Sequence, residues 1–196
     1  MTVTEDLRFV LPGQWLSLDV RGPDEVVAKR VHDLAERTLG KRDDLAQVRR
    51  SVREALLEAA AQARIIKADY LHLAQSIMDG IPLSATLTVS RPGISLPVLV
   101  SRAEELQALL ALVPGDEPTA VDHPELVVVR SVDRIESSED SNGAAVVQRL
   151  TANYWIQVPN TGRLVVFSFS SSMPNLDDEL MLLFEAIASS VHLRAG

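Results

Sequence analysis

Ala152-Asn153-Tyr154-Trp155-Ile156-Gln157-Val158-Pro159-Asn160-Thr161-Gly162-Arg163-Leu164-Val165-Val166-Phe167-Ser168-Phe169 reads as two strands joined by a tight turn. Proline presets φ for the turn, and glycine supplies the left-handed position that closes a four-residue loop. With 159–162 as the loop, Val158 faces Arg163, Ile156 faces Val165, Tyr154 faces Phe167 and Ala152 faces Phe169. Side chains alternate along a strand, so these pairs share one face. A slip by one residue would set Tyr154 against Ser168 and split the apolar set, which pins the register.

The unit extends from Ala144 to Val191. After the second strand, Asn175 is placed to cap a helix whose first turn carries Asp177, Asp178 and Glu179, as the helix dipole favours. Leu176, Leu180, Leu183, Phe184, Ile187 and Val191 fall on one helical stripe, which is predicted to pack on the Tyr154/Phe167/Phe169 face. Upstream, strands at about 119–122 and 126–136 lead through a polar loop, 137–143, into the hairpin. Glu136, Glu139, Asp140 and Asn142 do not follow the alternation of a calcium loop. Ser101-Arg102-Ala103-Glu104 is a capping box. It opens a short helix bearing Leu106, Leu109, Leu110 and Val113 that stops at Pro114-Gly115.

Ile81, Leu83, Ala85, Leu87 and Val89 alternate with Pro82, Ser84, Thr86, Thr88 and Ser90, a strand with one buried side. Asp79-Gly80 would turn it back on a strand at 65–73. Before that lies a helical hairpin. Pro23 starts its first helix, with Val27, Val31, Leu34 and Thr38 inward and Gly40 at the end. Asp43 or Asp44 caps the second, which runs to about Arg64 with Leu45, Val48, Val52, Leu56, Ala59 and Ala63 inward. Its arginines, among them Arg49, Arg50 and Arg53, alternate with acids and read as a solvated face. Leu7–Leu11 and Trp15–Val20 read as short strands around Pro12-Gly13, and residues 1–6 as a loose tail. The expected architecture is one α+β domain over 1–196, with a mainly antiparallel sheet, helices on both faces and an N-terminal helical hairpin.

The chain has 196 residues, a formal net charge of −8 and no cysteine. An acidic balance argues against general nucleic-acid or anionic-membrane binding. Without cysteine there are no disulfides, thiolate nucleophiles or Cys-ligated metals, and a cytoplasmic home is expected. The N-terminal residues lack the basic and apolar parts of a signal peptide, and no apolar run reaches membrane-spanning length. His32, His72, His123 and His192 make no paired metal spacing, and no metal or cofactor is expected. Asp122-His123-Pro124-Glu125 would need further ligands to form a metal or acid–base site. No Gly-X-Ser-X-Gly elbow surrounds Ser168, Ser170, Ser171 or Ser172, and no phosphate-cradling glycine loop is present.

Asn153–Pro159, Leu164–Phe169 and Leu183–Ala188, with Leu11-Pro12-Gly13-Gln14-Trp15, resemble a set of uncharacterised actinobacterial proteins similar to the PsbP-like α/β/α sandwich. That resemblance implies helices on both sides of an antiparallel sheet and a non-catalytic role bound to partner proteins. It supplies no site residues. A complete fold signal without a catalytic constellation, together with the accessory role that the resemblance implies, leads to the expectation of a non-catalytic protein-interaction or accessory module, with a secretion or envelope system as the expected setting. The alternative is a small-ligand-binding protein or hydrolase with a site in a sheet cavity. The candidate partner-binding residues lie on the hairpin face away from Tyr154: Trp155 opposite Val166, Gln157 opposite Leu164, with Arg149 and Asn153 beside them. Either residues 23–64 cover this cluster, or it is exposed with the composition of a binding hot spot.

Overall fold

The computed structural model describes residues 7–40, 45–78, 81–99, 101–115, 117–135, 149–159, 161–173 and 175–193. They form, in order, β1 (Leu7–Arg8), β2 (Gln14–Asp19), α1 (Asp24–Leu39), α2 (Ala46–Ile65), β3 (Ala68–Met78), β4 (Ile81–Pro82) and β5 (Ala85–Ser90). There follow α3 (Arg102–Leu112), β6 (Thr119–Val121), β7 (Val127–Ile135), β8 (Arg149–Val158), β9 (Arg163–Ser171), α4 (Asp177–Ser189) and β10 (His192–Leu193). The main sheet runs β2-β3-β5-β9-β8-β7-β6, with β4 also paired to β3, and every neighbouring pair is antiparallel. The chain is therefore α+β.

The β8–β9 register is the one expected: Val158 opposite Arg163, Ile156 opposite Val165, Tyr154 opposite Phe167 and Ala152 opposite Phe169. That face carries the main core. Leu180, Phe184, Ile187 and Val191 bring α4 onto it, and Leu87 and Val89 of β5 extend it. Phe184 stacks on Phe169 at 4.6 Å between ring centroids. Phe9 meets Phe167 edge-on at 4.9 Å, so the N-terminal segment roofs the same face beyond α4.

The opposite face is covered in two separate places. α1 and α2 lie over β2 and β3 through Val27, Val31, Leu34, Leu56, Ala60 and Ala63 on Leu18, Val20 and Leu71. α3 lies over the far end of β7, β8 and β9 through Leu109 and Val113 on Val127, Val129 and Leu164. The distribution is thus uneven, with three helices on one side and α4 on the other, rather than an even sandwich.

Several local expectations are corrected. Leu7–Leu11 does not fold back on Trp15–Val20. Leu7 and Arg8 pair with Leu193 and His192, while β2 pairs with β3. Gly13 between them sits at φ +82 with its α-carbon against the Ser76 and Ile77 carbonyls, which fixes a close crossing rather than a hairpin. Asn175 is itself left-handed (φ 65), and no side-chain cap bond forms at the start of α4. Asp177 there has another partner, since Arg134 approaches it at 3.4 Å. Val48 is exposed, so only the second half of the α2 stripe meets the sheet. The capping box of α3 is formed in full. The Asp43/Asp44 cap, the Asp79-Gly80 turn, the 137–143 loop and the 1–6 tail lie outside the described residues.

Candidate functional site

Between the two helix-covered regions the sheet face stays open, as a trough of about 650 Å³. Its floor follows from strand alternation. Inward positions of β5, β9 and β8 are apolar and feed the main core, so their alternate positions face the other way. These are Thr86, Thr88 and Ser90, then Ser168 and Ser170, then Arg149, Thr151, Asn153 and Trp155. Pairing lines them up in rungs: Thr86–Ser170–Thr151, Thr88–Ser168–Asn153 and Ser90–Val166–Trp155. One wall is the small-residue side of α2, Ala59 and Ala63, with Gln62 and Ile66 at the rim. Alanine there leaves room that a larger side chain would fill.

The floor is under-used by the protein. The Thr86 and Thr88 hydroxyls donate to the Ser170 and Ser168 carbonyls at 3.5 Å, the long limit of a hydrogen bond. No hydrogen bond joins the side chains of Thr151, Asn153, Ser168 or Ser170 to any partner among the described residues. Half-buried donors and acceptors without partners are what a polar ligand or water must satisfy.

The six sequence-derived residues divide. Leu164 is 2% exposed and Gln157 1% exposed, on the face that α3 covers, so neither lies at the surface of the trough. Val166 and Trp155 form the end wall of the trough, and Asn153 and Arg149 line it. Trp155 is half-buried against the α3 cluster, not under residues 23–64. Its indole nitrogen is buried without a partner, as are both amide atoms of Gln157 two positions on. The ring, not its N–H, therefore meets the trough. Sequence reasoning missed Thr86 and Thr88, and it offered residues 23–64 as a cover where α2 forms only one wall. Their alternation was visible, but the pairing of β5 with β9 was not.

The other candidates are occupied structurally. His123 is buried, and its Nδ1 accepts from the amides of Glu125 (3.2 Å) and Leu126 (3.0 Å). Nε2 therefore carries the proton and donates to the Val191 carbonyl at 2.9 Å. With both nitrogens engaged, His123 is a pin between the β6–β7 turn and the end of α4. Arg102 clamps the same turn by donating to the carbonyls of His123, Pro124 and Leu126. Among the described residues, no group of three or more His, Cys, Asp or Glu could hold a metal.

A second cleft of about 650 Å³ lies between β2 and α1, and its charges hold the fold together. Arg21 donates twice to the Asp19 carboxylate, at 2.9 and 2.7 Å, which keeps Asp19 below the usual carboxylate range against the opposing effect of burial. Arg30 donates to the carbonyls of Asp19 and Arg21, tying α1 to the strand. The trough, with unspent polar groups, is the better site.

No helix among the described residues is long and apolar enough to cross a membrane. No protein-family model matches the sequence, and no curated protein matches it either. Among solved structures, the chain is similar to LpqN of Mycobacterium tuberculosis, a protein involved in cell envelope biogenesis, over 96% of this chain and 83% of that one. Identity is 12% and the TM-score 0.40, a level that shows neither a shared fold nor a shared function.

Proposed function

We propose that this protein is a non-catalytic binding module that holds a segment of a partner protein in the trough between α2 and α3. The observation that carries this reading is the floor on which Thr151, Asn153, Ser168 and Ser170 have no side-chain hydrogen bond among the described residues, walled by Trp155 and by α2 alanines. A pocket floored by convergent polar groups and flanked by apolar walls is the usual composition of a binding site. An accessory role is in keeping with the resemblance of the C-terminal hairpin, and a secretion or envelope system is the setting proposed for it. The trough's volume also suits a small organic ligand, which is the second reading.

Capture of the native partner from the host tests the first. Trp155→Ala should weaken it by about 2 kcal/mol, the level of an interface hot spot, measured on protein that a denaturation curve shows to be folded. Ser168→Phe, which fills the trough, should abolish it. Capture at wild-type strength by both variants would move the site elsewhere. A trough that binds small molecules but no protein would favour the second reading.

A further inference from the structure

Resting on the reading of the trough as a binding site, we infer that its ligand is an apolar protein segment bearing one acidic side chain, whose carboxylate pairs with Arg149. Charge is the first ground. The chain carries 27 acidic and 19 basic residues, yet the only charged side chain lining the trough among the described residues is a cation. Arg149 is exposed and makes no hydrogen bond or ion pair among the described residues. Asp133, one strand beyond on the same face, is exposed and makes no ion pair with it. A guanidinium with no partner among the described residues offers a planar fork that matches a carboxylate.

Shape is the second ground. A smaller cavity of about 250 Å³ adjoins the trough and shares Thr86, Arg149 and Ser170 with it. Arg149 therefore sits partway along a continuous open channel, with the Trp155 wall at one end and Ser84 and Ser172 toward the other. A channel open along its length accepts a chain segment, with apolar groups against Trp155 and α2 and the charge between. The floor hydroxyls would serve the segment's backbone amides and carbonyls.

The test uses two dyes of like ring structure, anionic anilinonaphthalene sulfonate and neutral phenylnaphthylamine, on a Trp15→Phe background. The chain has two tryptophans, so Trp155 is then the sole energy donor. Both dyes should receive energy from Trp155, and Ser168→Phe or, should that variant unfold, Thr151→Phe should remove the signal. Arg149→Gln should weaken the anionic dye by about tenfold, the loss of one charge-assisted hydrogen bond, and leave the neutral dye unchanged. Arg149→Lys, which keeps the charge but loses the planar fork, should fall between wild type and Arg149→Gln.

A capped Leu-Val-Glu-Leu-Val peptide should displace the anionic dye about tenfold better than its Gln counterpart and better than decanoate. If Arg149→Gln leaves the anionic dye unaffected while Ser168→Phe removes both dyes, the trough binds but does not select anions. That result overturns this inference and leaves the binding-module reading standing. Stronger displacement by decanoate than by the peptide assigns the site to free organic acids and also overturns it. No energy transfer to either dye overturns both readings.

Discussion

His72 sits in β3 with Nδ1 2.8 Å from the Ser17 hydroxyl, Phe9 edge-on to its ring and the Tyr70 ring near-parallel at 6.3 Å. Burial pushes its pKa down to about 4 from an ordinary value near 6.5. The unfolded chain therefore binds a proton more readily than the folded one. Stability should be full above pH 6.5 and fall as pH drops from there to 4, by on the order of 3 kcal/mol in all. Urea denaturation across this range measures it, and His72→Phe should flatten the slope. An equal slope in the variant would show that other groups carry the effect. His123 shows how residue type misleads when read alone. Beside Asp122 and Glu125 it has the look of a metal or acid–base group, yet two backbone amides and one carbonyl use up its ring. That geometry arises from a turn and from Val191, which is distant in sequence. His123→Ala should cost about 2–4 kcal/mol, through two orphaned amides and a cavity. A thermal or urea scan checks the loss, and no loss would contradict the role of a pin.

The β8–β9 hairpin and α4 were legible because their signals are local. Apolar alternation set the register, and the stripe on α4 set the face it presents. Replacing Phe184 by Ala should cost about 3–5 kcal/mol, since its ring is fully buried against Phe169. A loss below about 1 kcal/mol in chemical denaturation would contradict that packing. Gly162 ends the hairpin loop at φ +64, and a Cβ there would run into the Leu96 carbonyl oxygen. The Leu96 amide in turn donates to the Gly162 carbonyl at 2.7 Å, so the turn also anchors the segment leading to α3. Gly162→Ala should therefore cost about 2–3 kcal/mol, and an unchanged denaturation midpoint would show that the turn gives way freely. What stayed hidden was long-range or stereochemical. The pairing of β5 with β9 joins strands some eighty residues apart, and no turn chemistry announces it. Asn175 has the identity of a cap, but it adopts the left-handed conformation that asparagine also tolerates.

Two helical covers on one sheet face, with a gap between them, make the trough. Arg149, Asn153, Trp155 and Val166 were recognisable as a face from alternation along one hairpin. The hidden α3 cover removed Leu164 and Gln157 from that face, and the hidden β5 neighbour added Thr86 and Thr88. Which side of a sheet a helix covers depends on connections that periodicity does not encode. The central claim is that a partner enters this gap. It is tested most directly by placing a photocrosslinking amino acid at Gln62, on the rim of the trough, and separately at Leu182, 72% exposed on α4 across the sheet. Illumination in the native host should give a discrete partner adduct from position 62 that Ser168→Phe eliminates, and none from position 182. The same adduct from both positions, or an adduct at 62 that persists when the trough is filled, would contradict the claim.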